Sequence, residues 1–353
     1  MPEVAAIGGQ STSQLLALGP VSRRGTPVRI GILGTARVAP AAVVNPAKDS
    51  AEVEVAAVAS REVARAQAFA VKHGIPRVHD TYEALVADPE LDAVYIALPN
   101  GLHGRWARGA LTAGKHVLCE KPFAANAAEA REIGELAAKS DRVVMEGFYY
   151  RYLPLTLRAE QIIASGELGK LKRVEVALCT LLPKFSDIRY DYSLAGGVTM
   201  DLGCYAVNMA RTFGGSTPEV VSAHAKLRGA QVDRAMTAEL RFAAGHTAQV
   251  RCSMWSSDLL HLSAKVIGDR GQLGVLSPLA PFRRLTVRSS EGNRTERFPG
   301  RSPFAYQLDA FAAAVLRGEP VKTTLEDAIE NMTVVDAIYR AAGLPVRQPT
   351  ERT

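Results

Sequence analysis

The sequence predicts an α/β protein: a doubly wound parallel sheet in the N-terminal part, then an α+β region carrying a large open, mostly antiparallel sheet. Three observations lead there. Between Val28 and Phe148, short apolar runs alternate with segments of helical spacing, and strands buried on both faces that alternate with helices form βαβ units. Beyond residue 150 the rhythm changes to longer, partly alternating segments joined by glycine turns, the pattern of antiparallel strands with one wet face. At 353 residues the chain is too long for one compact core, so two domains are expected, at 27–147 and 148–353, behind an extension at 1–26.

The elements follow in order. "VRIGIL" from Val28 is a strand ending at Gly34, and the alanine-rich stretch Val38–Ala47 opens the first helix. "VEVAAVAS" is the second strand; "EVARAQAFAVKHG" has helical spacing and closes on Gly74, a residue suited to a left-handed C-cap. "RVHD" is a short strand, and Thr81 caps the helix after it. "LDAVYIALP" is an apolar strand stopped by Pro99, "HGRWARGALTAG" a helix ending at Gly114, "KHVLCE" the next strand. A helix starts at Asn126 and "RVVMEGF" follows as a strand. After one more helix, capped by Gly166 or Gly169, the segments "LKRVEVALC", "EVVSAHAKLRG", "RAMTAELRFA", "HTAQVRCSMWS", "HLSAKVIG" and "LTVRSS" form the second sheet. Helices around Tyr306–Leu316 and Leu325–Ala342 close the chain.

Composition narrows the function classes. The chain is 47% hydrophobic and 22% charged with a net charge of +6, and its basic residues are scattered rather than gathered into a stripe, which argues against a nucleic-acid surface and allows a small anionic ligand. No apolar window is long enough to span a bilayer. Arg23-Arg24 mimics a twin-arginine export signal, but strand and glycine turn account for the apolar residues after it, and no small-residue cleavage site follows; a cytoplasmic protein is expected. Cys119, Cys179, Cys204 and Cys252 form no C-x-x-C pair and the histidines show no ligand spacing, so neither a disulfide framework nor a metal is expected.

The turn Gly34-Thr35-Ala36-Arg37-Val38-Ala39 is the G-x-G-x-x-G/A fingerprint with its middle glycine replaced by alanine, and it stands where the first βαβ unit requires it. Such a turn seats a pyrophosphate on a helix N-terminus. At the tip of the second strand, where an acid would accept from a ribose 2′-OH, the sequence has Ser60-Arg61; a guanidinium suits a 2′-phosphate, so NADP is preferred and NAD remains possible. Pro99, Asn100 and His103 stand at the carboxyl edge of the sheet, followed by Glu120, Lys121 and Pro122. All but Pro122 are counted with the cofactor-facing residues, although a helix-capping role competes for His103 and a structural one for Glu120. Farther on, "AGGVTMDLGCYAVNMAR" reads as a helix carrying Asp201 and Tyr205 four apart on one face.

The combination of "GTARVA", "PNGLHG", "AGKHVLCEKPFA", "MEGFYYRY", "GELGKLKRV", "DLGCYAVN" and "TTLEDAIENMTVVDAIYRAAG" resembles the glucose-fructose oxidoreductase / inositol dehydrogenase / rhizopine catabolism (Gfo/Idh/MocA) family, from Val28 to about Gly343. The resemblance implies a Rossmann-type first domain. It implies that Lys121 meets the substrate hydroxyl and the nicotinamide ribose, that Tyr205 is the acid/base, and that Asp201 is its acidic partner. Tyrosine in place of the histidine of many members points to the glucose-fructose oxidoreductase, xylose and dihydrodiol dehydrogenase branches. A cis Lys121–Pro122 bond and a homodimer or homotetramer joined through the open sheet are implied too. The expected activity is hydride transfer between NADP and a secondary hydroxyl or carbonyl of a sugar, sugar derivative or diol, with the Lys121 ammonium lowering the Tyr205 pKa. Arg151, Tyr150, Arg189 and Tyr190 are candidates for the substrate pocket, with interdomain packing as the rival role of Tyr150 and Arg151. Two alternatives share this scaffold: a nucleotide-sugar ketoreductase of deoxysugar biosynthesis and a non-catalytic NADP-binding regulator.

Overall fold

The computed structural model describes residues 25–256, 260–279, 284–298 and 300–351; Arg23-Arg24 and most of the N-terminal extension lie outside them. Strands β1 (Val28–Leu33), β2 (Val53–Ala59), β3 (Arg77–His79), β4 (Ala93–Ile96), β5 (His116–Cys119) and β6 (Val144–Glu146) form one sheet in the order β3-β2-β1-β4-β5-β6, every pair parallel. The strand order reverses between β1 and β4, and the chain leaves these neighbours in opposite directions, opening a crevice at their carboxyl ends. Burial on both faces explains the unbroken apolar runs: all four residues of β4 are buried.

The helices are α1 (Asn45–Lys48), α2 (Val63–His73), α3 (Tyr82–Ala87), α4 (His103–Thr112) and α5 (Ala127–Ala137). Thr81 caps α3 by accepting from the Ala84 N–H at 3.0 Å, and Asn126 caps α5 by accepting from Glu129 at 2.9 Å. Left-handed Gly74 ends α2. The helix expected over 38–47 is instead a wide π-turn at Pro40–Val44 followed by the single turn of α1. Pro40 and Pro46 have no N–H to donate, so a regular ladder cannot run through this stretch.

The second sheet holds β7 (Leu171–Cys179), β8 (Glu219–Arg228), β9 (Val232–Arg241), β10 (Thr247–Ser253), β11 (His261–Gly268), β12 (Gly271–Leu276), β13 (Arg284–Ser289) and β14 (Gly292–Arg297). Its order is β14-β13-β12-β11-β7-β10-β9-β8; the β7–β10 pair is parallel and the other pairs antiparallel. Two of these strands go beyond the sequence expectation. "GQLGVL" is diluted by glycine, and "GNRTER" is a polar edge strand with no apolar alternation, so period alone does not reveal them.

One face of this sheet is apolar and packs on α6 (Pro154–Ala164), α7 (Cys204–Gly214) and α9 (Leu325–Ala341) through residues such as Val174, Val176, Leu240 and Val250. The other face is charged: Arg173 forks onto Glu239 with two bonds of 3.2 Å, and Gln249 donates to the same carboxylate. It carries an open concavity of about 630 Å³. The last helices return to the first sheet. α8 (Pro303–Arg317) puts Leu308 and Phe311 into the core with Ile30 and Ile32 of β1, and α9 inserts Leu325 and Ala328 into the core shared with α5.

Gly34 closes β1 at φ +92°, and a Cβ there would lie 2.4 Å from the Ala97 carbonyl oxygen just past β4. Gly34→Ala should therefore cost about 1–3 kcal/mol of stability or more, read as a lower urea midpoint at unchanged slope. An unshifted midpoint would contradict this close packing of the two strand ends.

Candidate active site between the two sheets

After β5 the chain turns at Glu120-Lys121-Pro122-Phe123, through a cis Lys121–Pro122 bond. Buried polar groups mount this turn from beneath. Tyr95 on β4 donates its hydroxyl to Glu120 Oε1 at 2.8 Å, and Glu146 at the end of β6 accepts from the Phe123 N–H at 2.8 Å. His103, opening α4, has Nδ1 2.7 Å from the Pro122 carbonyl oxygen and Nε2 2.7 Å from that of Leu98. Burial pushes the His103 pKa down against the raising effect of these two carbonyls. Glu146 is 1% exposed, its Oε2 has no hydrogen-bond partner among the described residues, and burial, helped by the nearby Asp327 charge, raises its carboxyl to about 8.

The mounted side chain is Lys121. Its ammonium donates to the Asp201 carbonyl at 2.9 Å and to Asp201 Oδ1 at 3.1 Å, and it lies 4.9 Å from the centre of the Tyr205 ring. Asp201 sits in a π-turn, Thr199–Gly203, that runs into α7, so Asp201 and Tyr205 do not stand on one regular α-helix. Both still face Lys121. Arg189, from the loop before this helix, donates Nε to Asp201 Oδ2 at 2.9 Å and Nη1 to Asp187 at 3.0 Å. The Asp201 carboxylate is thus held between two cations: burial would raise its pKa, but Lys121 and Arg189 override burial and the net shift is down. Burial alone would lower the Lys121 pKa; Asp201, with Cys204 and Glu120, turns the net shift upward.

Tyr205 is 6% exposed and caged by Phe148, Tyr149 and Tyr150, whose ring centres lie 5.0, 6.1 and 6.1 Å away. Its pKa is pushed well above the usual value by burial first, then by Tyr149, Glu120, Cys204 and Asp201. This reverses the expectation that Lys121 lowers it. The ammonium lies over the ring and is neutralised by Asp201, so Tyr205 is a neutral phenol.

On the other side of the crevice, the Gly34 N–H is taken by the Ala59 carbonyl at 2.9 Å, whereas those of Thr35, Ala36, Arg37 and Val38 donate to no described residue. Free N–H groups beside a helix start fit the two phosphates of a dinucleotide. Ala36 is only partly buried, so the methyl replacing the fingerprint's glycine does not fill the turn. Arg37 and Arg61 are exposed at the ends of adjacent strands β1 and β2, and neither makes an ion pair with a described residue. Ser60 is buried while the Arg61 side chain is exposed, which leaves Arg61 as the available group at that tip. Pro99 leads into the loop where Asn100 donates to the Ala195 carbonyl at 3.2 Å, a bond between the two halves.

Other candidates lie elsewhere. His103 is 1% exposed with both ring nitrogens facing protein carbonyls, one of which takes the single N–H of the neutral imidazole, so its ring holds the turn and is closed to a ligand. Glu120 is 8% exposed and bonded to Tyr95, the structural placement. Arg151 is taken up by Glu160 and Asp327 at 3.7 and 3.6 Å, and Tyr150 is fully buried in the second core with its hydroxyl on Asn208 at 2.6 Å. Tyr190 bonds the Leu182 carbonyl at 2.9 Å. Glu146 and Tyr95 were missed because their partners, 23 and 25 residues away, meet them only when strands pair. Among the described residues no group of three His, Cys, Asp or Glu side chains could hold a metal, and no helix is long and apolar enough to cross a membrane.

Residues 28–148 match the oxidoreductase family with an NAD-binding Rossmann fold, and residues 156–274 match the GFO/IDH/MocA C-terminal domain. The chain is 39% identical over 315 residues to a D-xylose 1-dehydrogenase (NADP(+)) of Haloferax volcanii, covering 88% of this chain and 96% of that protein. It is 35% identical over 238 residues to the trans-1,2-dihydrobenzene-1,2-diol dehydrogenase of Bos taurus, covering 67% and 70%. A crystal structure of a 3-ketoreductase from Actinomadura kijaniata, in complex with NADP and TDP-benzene, superimposes with a TM-score of 0.83 at 28% identity, over 89% of this chain and 98% of that one.

The Glu146 environment predicts a pH signature. The folded chain keeps this proton up to about pH 8, whereas the unfolded chain releases it near 4.5. As pH rises through that window the unfolded state alone loses a proton, so stability falls, and the penalty is complete above it. Glu146→Gln retains the oxygen that bonds Phe123 and cannot ionise. Its stability should match wild type near pH 4.5 and exceed it by a margin growing towards pH 8, measured by thermal unfolding across that range; a pH-independent difference would contradict the assignment.

Proposed function

The chain belongs to the Gfo/Idh/MocA oxidoreductase family, and from that premise we propose that it is an NADP-dependent oxidoreductase acting on a secondary hydroxyl or carbonyl of a sugar, sugar derivative or diol. The observation that carries this reading is the Lys121 ammonium, fixed by Asp201 from the other half of the molecule while lying 4.9 Å over the Tyr205 ring. The xylose and dihydrodiol dehydrogenases above support the substrate class. For the cofactor, support comes from the free N–H groups of Thr35 to Val38 and the unpaired Arg37 and Arg61, placed for the pyrophosphate and the 2′-phosphate respectively. When bound, NADP supplies a nicotinamide carbon that accepts or delivers hydride.

The protein's part is to place and hold protons. In reduction, Tyr205 donates its phenolic proton to the carbonyl oxygen, and Lys121 polarises that oxygen. In oxidation the phenolate takes the hydroxyl proton back. Burial keeps Tyr205 protonated at neutral pH, so the resting site is set for donation. Asp201 orients Lys121 and Arg189 steadies Asp201, and the greater exposure of Arg189 supports it as the group that meets a substrate hydroxyl. The open face of the second sheet is proposed as the interface of a homodimer or homotetramer, and the cytoplasm as the compartment.

A nucleotide-sugar ketoreductase is the second reading, favoured by the likeness to the ketoreductase holding TDP-benzene. Thymidine diphosphate binding more tightly than free sugars would select it.

Screening both nicotinamide cofactors over sugars, diols and keto-sugars by near-ultraviolet absorbance tests the proposal. Tyr205→Phe and Lys121→Ala should each cut kcat by at least about a hundredfold with NADPH binding retained, and near-normal turnover in either would refute the mechanism. Arg61→Ala should raise the Kd for NADPH about tenfold or more, equivalent to at least ~1.4 kcal/mol of lost charge-assisted bonding, and leave NADH nearly unchanged. Equal effects on both cofactors would remove Arg61 from the phosphate site.

A further inference from the structure

Beyond α9 the chain runs on and reaches into the interior. Residues 344–351 run without helix or strand between the two halves of the molecule, and Arg347 on this tail is fully buried. Its guanidinium is spent on three carbonyls and one acid: Nε donates to the Gly196 carbonyl at 2.7 Å, Nη1 to the Pro345 carbonyl at 3.2 Å, and Nη2 to Asp233 Oδ1 at 2.7 Å and to the Gln231 carbonyl at 3.1 Å. The second Asp233 oxygen accepts the Thr199 N–H at 2.7 Å, and Tyr339 adds its hydroxyl to Oδ1 at 3.1 Å. Thr199 is the first residue of the π-turn that carries Asp201. Gly197 passes so close that a Cβ would lie 2.1 Å from Asp233 Oδ1, and its N–H donates to the Arg189 carbonyl at 2.8 Å. One buried guanidinium therefore fixes the backbone on both sides of Gly197, and through it Asp201, which grips Lys121, and Arg189, which holds Asp201.

The same tail reaches the first half. The Arg347 carbonyl accepts from Asn126, the cap of α5 just after the Lys121 turn, at 2.8 Å. The Thr350 N–H donates to the Gly101 carbonyl at 2.8 Å and its hydroxyl to the Ser193 carbonyl at 2.7 Å, joining the loop after β4 to the loop before the Asp201 turn.

We propose that Arg347 is a positioning residue, and that the tail it anchors sets the register between the Lys121 turn and the Asp201–Tyr205 helix start. A guanidinium suits the task because its planar fork meets Gly196 and Asp233 in fixed directions, which a lysine's single nitrogen cannot do. Coupling runs from the tail to Asp201 through hydrogen bonds joined by short backbone steps at Gly196–Gly197 and Thr199–Asp201. This inference rests on the reading of Lys121, Asp201 and Tyr205 proposed above.

Arg347→Lys keeps the charge opposite Asp233 and loses the fork. Its kcat should fall about tenfold or more, the effect of a small misplacement of reacting groups, while the NADPH Kd stays within about twofold. Amide hydrogen exchange over residues 196–205 should quicken about tenfold, and exchange in β1 and β4 should not change. Thr350→Val, which disturbs no buried charge, should give the same pattern at reduced size and decides the matter if Arg347→Lys does not fold. A lowered Tm with kcat and exchange at 196–205 unchanged would assign the tail a merely structural role and overturn the proposal. If the wild-type protein turned over no sugar, diol or keto-sugar, the functional reading would fall, while the exchange measurement would still decide whether the tail holds the helix start.

Discussion

The site depends on one link: an ammonium from the first half of the chain, Lys121, held by the carboxylate and the carbonyl of Asp201 from the second. Removing these charges from water is costly, and the cost is offset only when geometry is good and remaining bonding capacity is used. Both conditions are met from opposite sides. Glu120, Glu146 and His103 fix the turn that carries Lys121, and Arg189 takes the second oxygen of Asp201. Asp201 has Arg189 on its own half, but among the described residues Lys121 bonds no side chain of the first half, so the ion pair also states how the halves must meet.

That link decides the protonation state of its neighbour. A free ammonium beside Tyr205 would favour phenolate; an ammonium already matched by Asp201 leaves burial as the dominant influence, and the phenol keeps its proton. The Lys121–Tyr205 contact is made with the ring face, a cation–π geometry that orients both groups without transferring charge. In the proposed reaction a resting site of this kind is suited to giving a proton, and oxidation would require the phenolate to be formed at greater cost.

Much of this was legible in the sequence because it is local. Apolar period, the glycine at the end of β1, Thr81 and Asn126 as caps, and the Glu120-Lys121-Pro122 stop each announce themselves within a few residues. What was hidden is what only pairing creates. Strand β12 has its alternation diluted by glycine, β14 has none, and both exist by adding to β11 and β13. His103 and Arg151 looked available on a loop and after a strand, but the fold spends His103 on two backbone carbonyls and Arg151 on Glu160 and Asp327. The spacing of Asp201 and Tyr205 suggested a regular α-helix, and the π-turn at Thr199–Gly203 replaces it while leaving both side chains towards Lys121.

The chain's return explains why a junction can serve as a precise site at all. Two domains joined by a single crossing near residue 148 would move against each other by default. Here the chain crosses back: α8 packs beneath β1, α9 fills the core beside α5, and the tail bonds Gly101, Asn126 and Ser193. Each return adds contacts between surfaces already close, and each restricts the hinge that the first crossing leaves open. Hydride and proton transfer tolerate errors of only a fraction of an ångström in the distance between reacting groups. In the proposed reaction a lysine on one half and a tyrosine on the other meet that tolerance only if the halves are fastened near the site, and Arg347, bonded to Gly196 and through its carbonyl to Asn126, is one such fastening.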